Sequence, residues 1–167
     1  RQAYEAKRMA VYGAMVEAMD HHIGRLVEYL KAIGEYDNTV FIFTSDNGAE
    51  AMGLPRQNSW GNTQILAAQD YSVDYETLGL KGSFNAINPG FASAAASPLA
   101  YYKFYVGEGG LRVPMIIAGG PVAIKNQFSN ASAYVTDITP TILSLAEVEH
   151  PHSLKRGRFG GRKVEPM

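Results

Sequence analysis

Thr39-Val40-Phe41-Ile42-Phe43-Thr44-Ser45-Asp46-Asn47-Gly48 is the stretch on which the fold turns. Thr39 to Thr44 is an unbroken run rich in β-branched and aromatic residues. Such a run predicts a strand buried on both faces, as in a parallel sheet covered by helices. It stops abruptly at Ser45, so the strand delivers Asp46 and Asn47 at its carboxyl end, the edge where ligands bind in open α/β sheets. A carboxylate and an amide oxygen side by side are hard donors suited to Ca²⁺ or Mg²⁺, and Gly48 allows the backbone to turn sharply. Asp-Asn-Gly is also an ordinary turn and helix-capping sequence. Two oxygens, moreover, leave most of a shell of about six unfilled, so further donors must come from elsewhere.

Upstream of this run, residues 2–33 read as one amphipathic helix. Tyr12, Val16, Met19, Ile23, Leu26, Val27, Leu30 and Ile33 recur at three- and four-residue steps and line one face. Gly34 stands where a left-handed C-terminal cap belongs, and Glu35 to Asn38 reads as a turn. A long helix, a short turn and a buried strand in succession predict an α/β architecture.

Downstream, residues 51–101 hold scattered Gly, Pro, Asn and Ser, the lone Trp60 and a small-residue stretch from Ala92 to Ser97. No period persists there, which predicts a long irregular excursion. Gly107-Glu108-Gly109-Gly110 reads as a tight turn. Val113 to Ala118 reads as a second buried strand, with Pro114 at its start or on an edge. Ser132 to Thr136 reads as a short extended segment. Thr139 and Pro140 then open a helix as N-cap and first helical residue. The tail from His150 to Met167 is basic and glycine-rich, with Lys155, Arg156, Arg158, Arg162 and Lys163, and reads as a solvated terminus.

The bulk numbers narrow the function. In 167 residues, 46% are hydrophobic, which suffices for a core. Fifteen basic residues against sixteen acidic ones give a net charge of -1, without the basic excess of a nucleic-acid binder. The absence of cysteine excludes disulfides and thiolate metal ligands. No segment is long and apolar enough to span a bilayer as a helix. The chain starts in mid-helix without an initiator Met, which reads as the interior of a longer protein.

A second candidate for chemistry is Lys103, just before the glycines and the second strand. An ammonium there could neutralise charge building on an anionic ester oxygen, or be a plain surface lysine. Arg112 has the same two readings: an anion clamp, or a partner for a local carboxylate such as Asp137. His21 and His22 are adjacent on the helix, so they point apart and read as partly exposed residues. His150 and His152 read as loop residues. No Ser-His-Asp spacing and no Walker or dinucleotide loop is present.

Several blocks together resemble the arylsulfatase family. They are Tyr12 to Asp20, Ile23-Gly24-Arg25-Leu26, Tyr36 to Thr39, Phe43 to Glu50, Glu108 to Pro114 and Asp137 to Leu143, in family order. Residues 51–100 match least, and Arg162 to Met167 looks like the lead into that family's small C-terminal domain. The resemblance implies an α/β fold, part of an alkaline-phosphatase-like sheet flanked by helices. It implies that residues 1–150 are the C-terminal part of a catalytic domain and that 151–167 lead toward a further subdomain.

By the same resemblance Asp46 and Asn47 align with two ligands of the one Ca²⁺ or Mg²⁺, and Lys103 aligns with the lysine that contacts the substrate sulfate. The implied activity is hydrolysis of a small-molecule or sugar sulfate ester by a formylglycine nucleophile made from Cys or Ser in a C-x-P-S-R motif. This sequence has no cysteine and no S-x-P-S-R stretch, so the nucleophile is expected upstream of the chain. The chain alone is expected to be inactive and to bind metal weakly.

The resemblance also implies a periplasmic or secreted location. Two alternatives stay open. One is a phosphatase or phosphonate monoester hydrolase of the same superfamily. The other is a non-catalytic binding domain, compact and without an open sheet edge. A fragment would instead expose an apolar sheet face and self-associate or be partly disordered.

Overall fold

The computed structural model describes residues 2–51, 69–123 and 126–148. Trp60, His150, His152 and the basic segment 151–167 lie outside the described residues. The described chain forms two compact units that divide after Ala123.

In the first unit, helix α1 runs from Gln2 to Ala32. It ends as the sequence leads one to expect. Gly34 takes a φ of 77°, its N–H donates to Lys31 O at 3.1 Å, and the Glu35 N–H donates to Leu30 O at 2.9 Å. That pair of bonds is the Schellman closure, and glycine adopts its left-handed residue without steric cost. A single 3₁₀ turn, Tyr36–Asn38, leads into strand β1, Val40–Thr44. The helix carries its predicted apolar stripe, but the described residues leave that stripe largely uncovered, with Tyr12, Val16, Met19, Ile23, Leu26 and Ile33 all exposed.

β1 pairs with strand β2, Met115–Gly119, and the pair is antiparallel, with Val40 opposite Gly119 and Thr44 opposite Met115. This corrects the expectation of parallel strands buried on both faces. Phe43, Ile116 and Ile117 are 43%, 59% and 44% exposed, and among the described residues each strand keeps one unpaired edge. An unbroken apolar run says that both faces suit cover; it carries no information on the direction of the partner strand or on what supplies the cover. The second strand begins two residues later than expected, after Pro114, which has no N–H to give a ladder.

The segment expected to be irregular is partly ordered. A 3₁₀ turn covers Tyr75–Thr77, and helix α2 covers Pro89–Ala96. Asn88 caps α2, its Oδ1 accepting from the Phe91 N–H at 2.9 Å, and Pro89 occupies the first helical position. Ser72 clips this segment together: its N–H donates to Gly82 O at 2.8 Å and its carbonyl accepts from the Phe84 N–H at 2.7 Å. Leu78, Ile87 and Ala92 are the buried apolar residues here.

The first turns of α1 dock on the same segment through polar groups. The Tyr4 hydroxyl donates to Val73 O, Lys7 Nζ donates to Tyr75 O at 2.5 Å, and Asn85 Nδ2 donates to Arg8 O at 3.1 Å. Arg8, only 1% exposed, pairs with Glu5 at 3.1 Å, and Asn88 Nδ2 donates to the same carboxylate oxygen at 2.9 Å. Burial raises the Tyr4 hydroxyl above the usual phenol pKa, against the pull of the neighbouring Arg8 charge.

The glycine-rich block expected to be a turn is instead one turn of helix, α3, Glu108–Leu111. In the second unit, a 3₁₀ turn at Val135–Asp137 takes the last two residues of the expected extended segment, and helix α4 spans Ile138–Leu145. Asp137 rather than Thr139 flanks the start of α4, so Pro140 falls at the third helical position. Proline is tolerated there because the first four N–H groups of a helix have no intrahelical acceptor. Asp137 Oδ2 accepts from the Tyr134 N–H at 2.8 Å, a bond that tightens the turn before the helix.

Candidate active-site loop

The carboxyl end of β1 opens into the loop 45–50, and three hydrogen bonds fix that loop. Thr44 Oγ1 donates to Pro114 O at 3.1 Å, which ties the strand end to the start of β2. Ser45 Oγ donates to Asn47 O at 2.7 Å, which closes the turn on itself. The Gly48 N–H donates to Gly110 O at 3.0 Å, which docks the turn on α3.

Gly48 is needed for a reason other than the expected sharp turn. A Cβ at this position would lie 1.7 Å from Gly109 O, so the loop and α3 meet backbone to backbone. Gly109 is equally constrained, since a Cβ there would lie 2.1 Å from Tyr101 O. The glycines of two separate motifs are thus one packing device. It presses the loop at the end of β1 against the segment that carries Lys103.

Lys103 joins the loop directly. Its N–H donates to Ala49 O at 3.0 Å, and its Nζ lies 2.8 Å from Glu50 Oε2. The ammonium also stands over the Phe104 ring, 5.3 Å from its centroid. The hydrogen bond to Glu50 holds Lys103 above the ordinary lysine pKa; desolvation opposes this, and the charges of Glu50 and Asp46 reinforce it. Asp46 therefore lies within electrostatic reach of the ammonium.

Asp46 is exposed and Asn47 half-buried, and neither side chain has a hydrogen bond or ion pair with another described residue. Among the described residues no helix cap or salt bridge consumes their oxygens, which are of the hard donor type a divalent cation takes. Among the described residues no group of three or more His, Asp or Glu side chains stands where it could hold a metal ion.

The family model described as Sulfatase matches residues 1–148. The chain belongs to the sulfatase family. An uncharacterized sulfatase of Schizosaccharomyces pombe is 43% identical over 93% of this chain and 28% of its own length. The arylsulfatase of Klebsiella aerogenes is 32% identical over 93% of the chain and 33% of its own length. The N-acetylglucosamine-6-O-sulfatase of Bacteroides thetaiotaomicron is 31% identical over 95% of the chain and 20% of its own length. The chain thus spans a third or less of the length of these curated relatives. Its helices and small sheet are consistent with the α/β, alkaline-phosphatase-like class of the sulfatase family.

Other residues of this sulfatase chain settle into plainer roles. Arg112 pairs with Glu108 at 3.2 Å, four residues back, and both side chains are 63% exposed. It is a local pair at the helix end with a nearby carboxylate. His21 and His22 are exposed on α1, and His22 Nδ1 lies 3.1 Å from an Arg25 terminal nitrogen. Sequence reasoning passed over Glu50 as a residue with a part in the site. The signal was its place four residues after Asp46 in the same motif block, but nothing in the sequence tells that Lys103 folds back onto it. No helix among the described residues is long and apolar enough to cross a membrane.

Proposed function

We propose that the whole protein hydrolyses sulfate esters and that this chain supplies three groups to the reaction. Asp46 and Asn47 act as oxygen ligands to a divalent cation, Ca²⁺ or Mg²⁺. Lys103 presents its ammonium to the sulfate group. The observation that carries this reading is the loop after β1. One short segment holds two oxygen donors that no described residue consumes, and it is bonded at Ala49 and Glu50 to the lysine.

Cation and anion sites adjoin here for a physical reason. A sulfate ester is an anion whose oxygens gain charge as the ester bond breaks. A divalent metal, when bound, acts as a Lewis acid on those oxygens. Lys103 adds fixed positive charge beside them at no cost in reorganisation. Asp46 and Asn47 fix where the positive charge stands, and the Gly48–Gly109 contact fixes the loop that carries them. The formylglycine nucleophile belongs to another part of the whole protein, since this sequence has no cysteine and no S-x-P-S-R stretch. The Bacteroides relative, named as an N-acetylglucosamine-6-O-sulfatase, favours small-molecule or sugar sulfate esters as the substrate class.

The test is turnover of a chromogenic aryl sulfate by the whole protein and by its Lys103→Ala variant. Loss of a charge-stabilising donor lowers kcat by about 10²–10³-fold. An unchanged rate in the variant, or a whole protein that cleaves phosphate monoesters and leaves sulfate esters intact, contradicts the proposal.

A further inference from the structure

We infer that Glu50 is the positioning residue for Lys103: its carboxylate holds the ammonium in one orientation so that the two remaining N–H bonds face the ester. The inference rests on the reading of Lys103 given above and adds a residue to it.

A lysine ammonium is a point charge on a flexible four-carbon stem, with three donors and no fixed direction. Left alone at a surface it samples many rotamers, and a group that stabilises charge only in some of them works only part of the time. Three contacts restrict Lys103. Its backbone N–H is bonded to Ala49 O at 3.0 Å, which sets where the stem begins. Its Nζ is bonded to Glu50 Oε2 at 2.8 Å, which sets where the stem ends. The Phe104 ring lies under the ammonium at 5.3 Å. Glu50 is the next residue after Ala49, so one two-residue stretch grips both ends of the lysine. That stretch follows Gly48, whose close approach to Gly109 fixes its height.

The pair is poorly placed to serve stability. Both side chains are about a third exposed, at 33% and 32%, and ion pairs of that exposure contribute little to folding. Glu50 occupies one N–H of the three, which leaves two for an anion. A carboxylate near a sulfate ester also repels it, so Glu50 does not help the substrate bind. Its contribution is to orient the ammonium, and it therefore appears in kcat rather than in KM.

The test is a double-mutant cycle in the whole protein, using Lys103→Ala, Glu50→Ala and both together, with an aryl sulfate as substrate and the thermal midpoint recorded for each. Glu50→Ala is expected to lower kcat by about tenfold to a hundredfold while KM stays level or falls. In the Lys103→Ala background the same substitution is expected to do nothing further. Glu50→Gln keeps an oxygen that accepts from Nζ and is expected to retain most of kcat, which guards against a variant that simply fails to fold. Additive losses in the double variant, or equal losses in Glu50→Gln and Glu50→Ala with matching falls in thermal midpoint, overturn the positioning role while leaving Lys103 in place. No loss in Lys103→Ala overturns the underlying reading and the inference with it.

Discussion

Two cation–carboxylate pairs in the first unit use the same chemistry to different ends. Arg8 and Glu5 are joined at 3.1 Å where the arginine is 1% exposed, whereas Lys103 and Glu50 are joined at 2.8 Å with a third of each side chain open to water. Around Arg8 the protein has committed its polar groups: Asn88 donates to Glu5, and Asn85 donates to the Arg8 carbonyl. One terminal nitrogen of Arg8 and Asn85 Oδ1 find no partner among the described residues, so that network is tightly enclosed. Around Lys103 the backbone is fixed but the charge is left accessible. The difference teaches where each pair is to be tested: a buried pair by unfolding, an open and oriented pair by turnover.

The comparison breaks most sharply at Arg8. Arg8→Ala leaves Glu5 partly buried without its cation and is expected to cost about 3–5 kcal/mol, measured by denaturant unfolding of the whole protein. Gly48→Ala comes next. Its methyl meets Gly109 O, and the resulting shift of the loop is expected to cost about 1–3 kcal/mol and to lower sulfatase turnover as well.

The open pair is expected to show almost nothing by unfolding, and the sign of its pH dependence sharpens the contrast. The folded Lys103 pKa is raised, so the small stability the pair contributes is fully present below the ordinary lysine pKa. It is lost only as pH rises through the raised value. The stability difference between wild type and Glu50→Gln should therefore stay constant through neutral pH and shrink only in strong alkali. A difference that changes near neutrality is the opposite result. The smallest effect is expected at Arg112→Ala, within about 0.5 kcal/mol and without change in turnover, because its pair with Glu108 is open and local.

Much of this was legible in the sequence. Gly34 announced the end of α1, and Thr39 to Thr44 announced β1. The motif blocks announced the sulfatase family, now supported by a match over residues 1–148. What escaped is what depends on distant partners. The run in β1 does not state that β2 pairs with it antiparallel, because strand direction is set by the path between strands. Helix α2 escaped although Asn88-Pro89 is a start signal, because its alanines show no amphipathic period. Gly48 was visible as a glycine, but the close approach that requires it involves Gly109, sixty-one positions away. Glu50 was visible as a carboxylate, but its meeting with Lys103 is a product of the fold.

The measurement that bears most directly on the account is the divalent metal content of the whole protein after gel filtration, for wild type and for Asp46→Ala and Asn47→Ala. The account predicts close to one Ca²⁺ or Mg²⁺ per chain in wild type and its loss in both variants, with the fold intact by circular dichroism. Retention of the full metal content in both variants would contradict it.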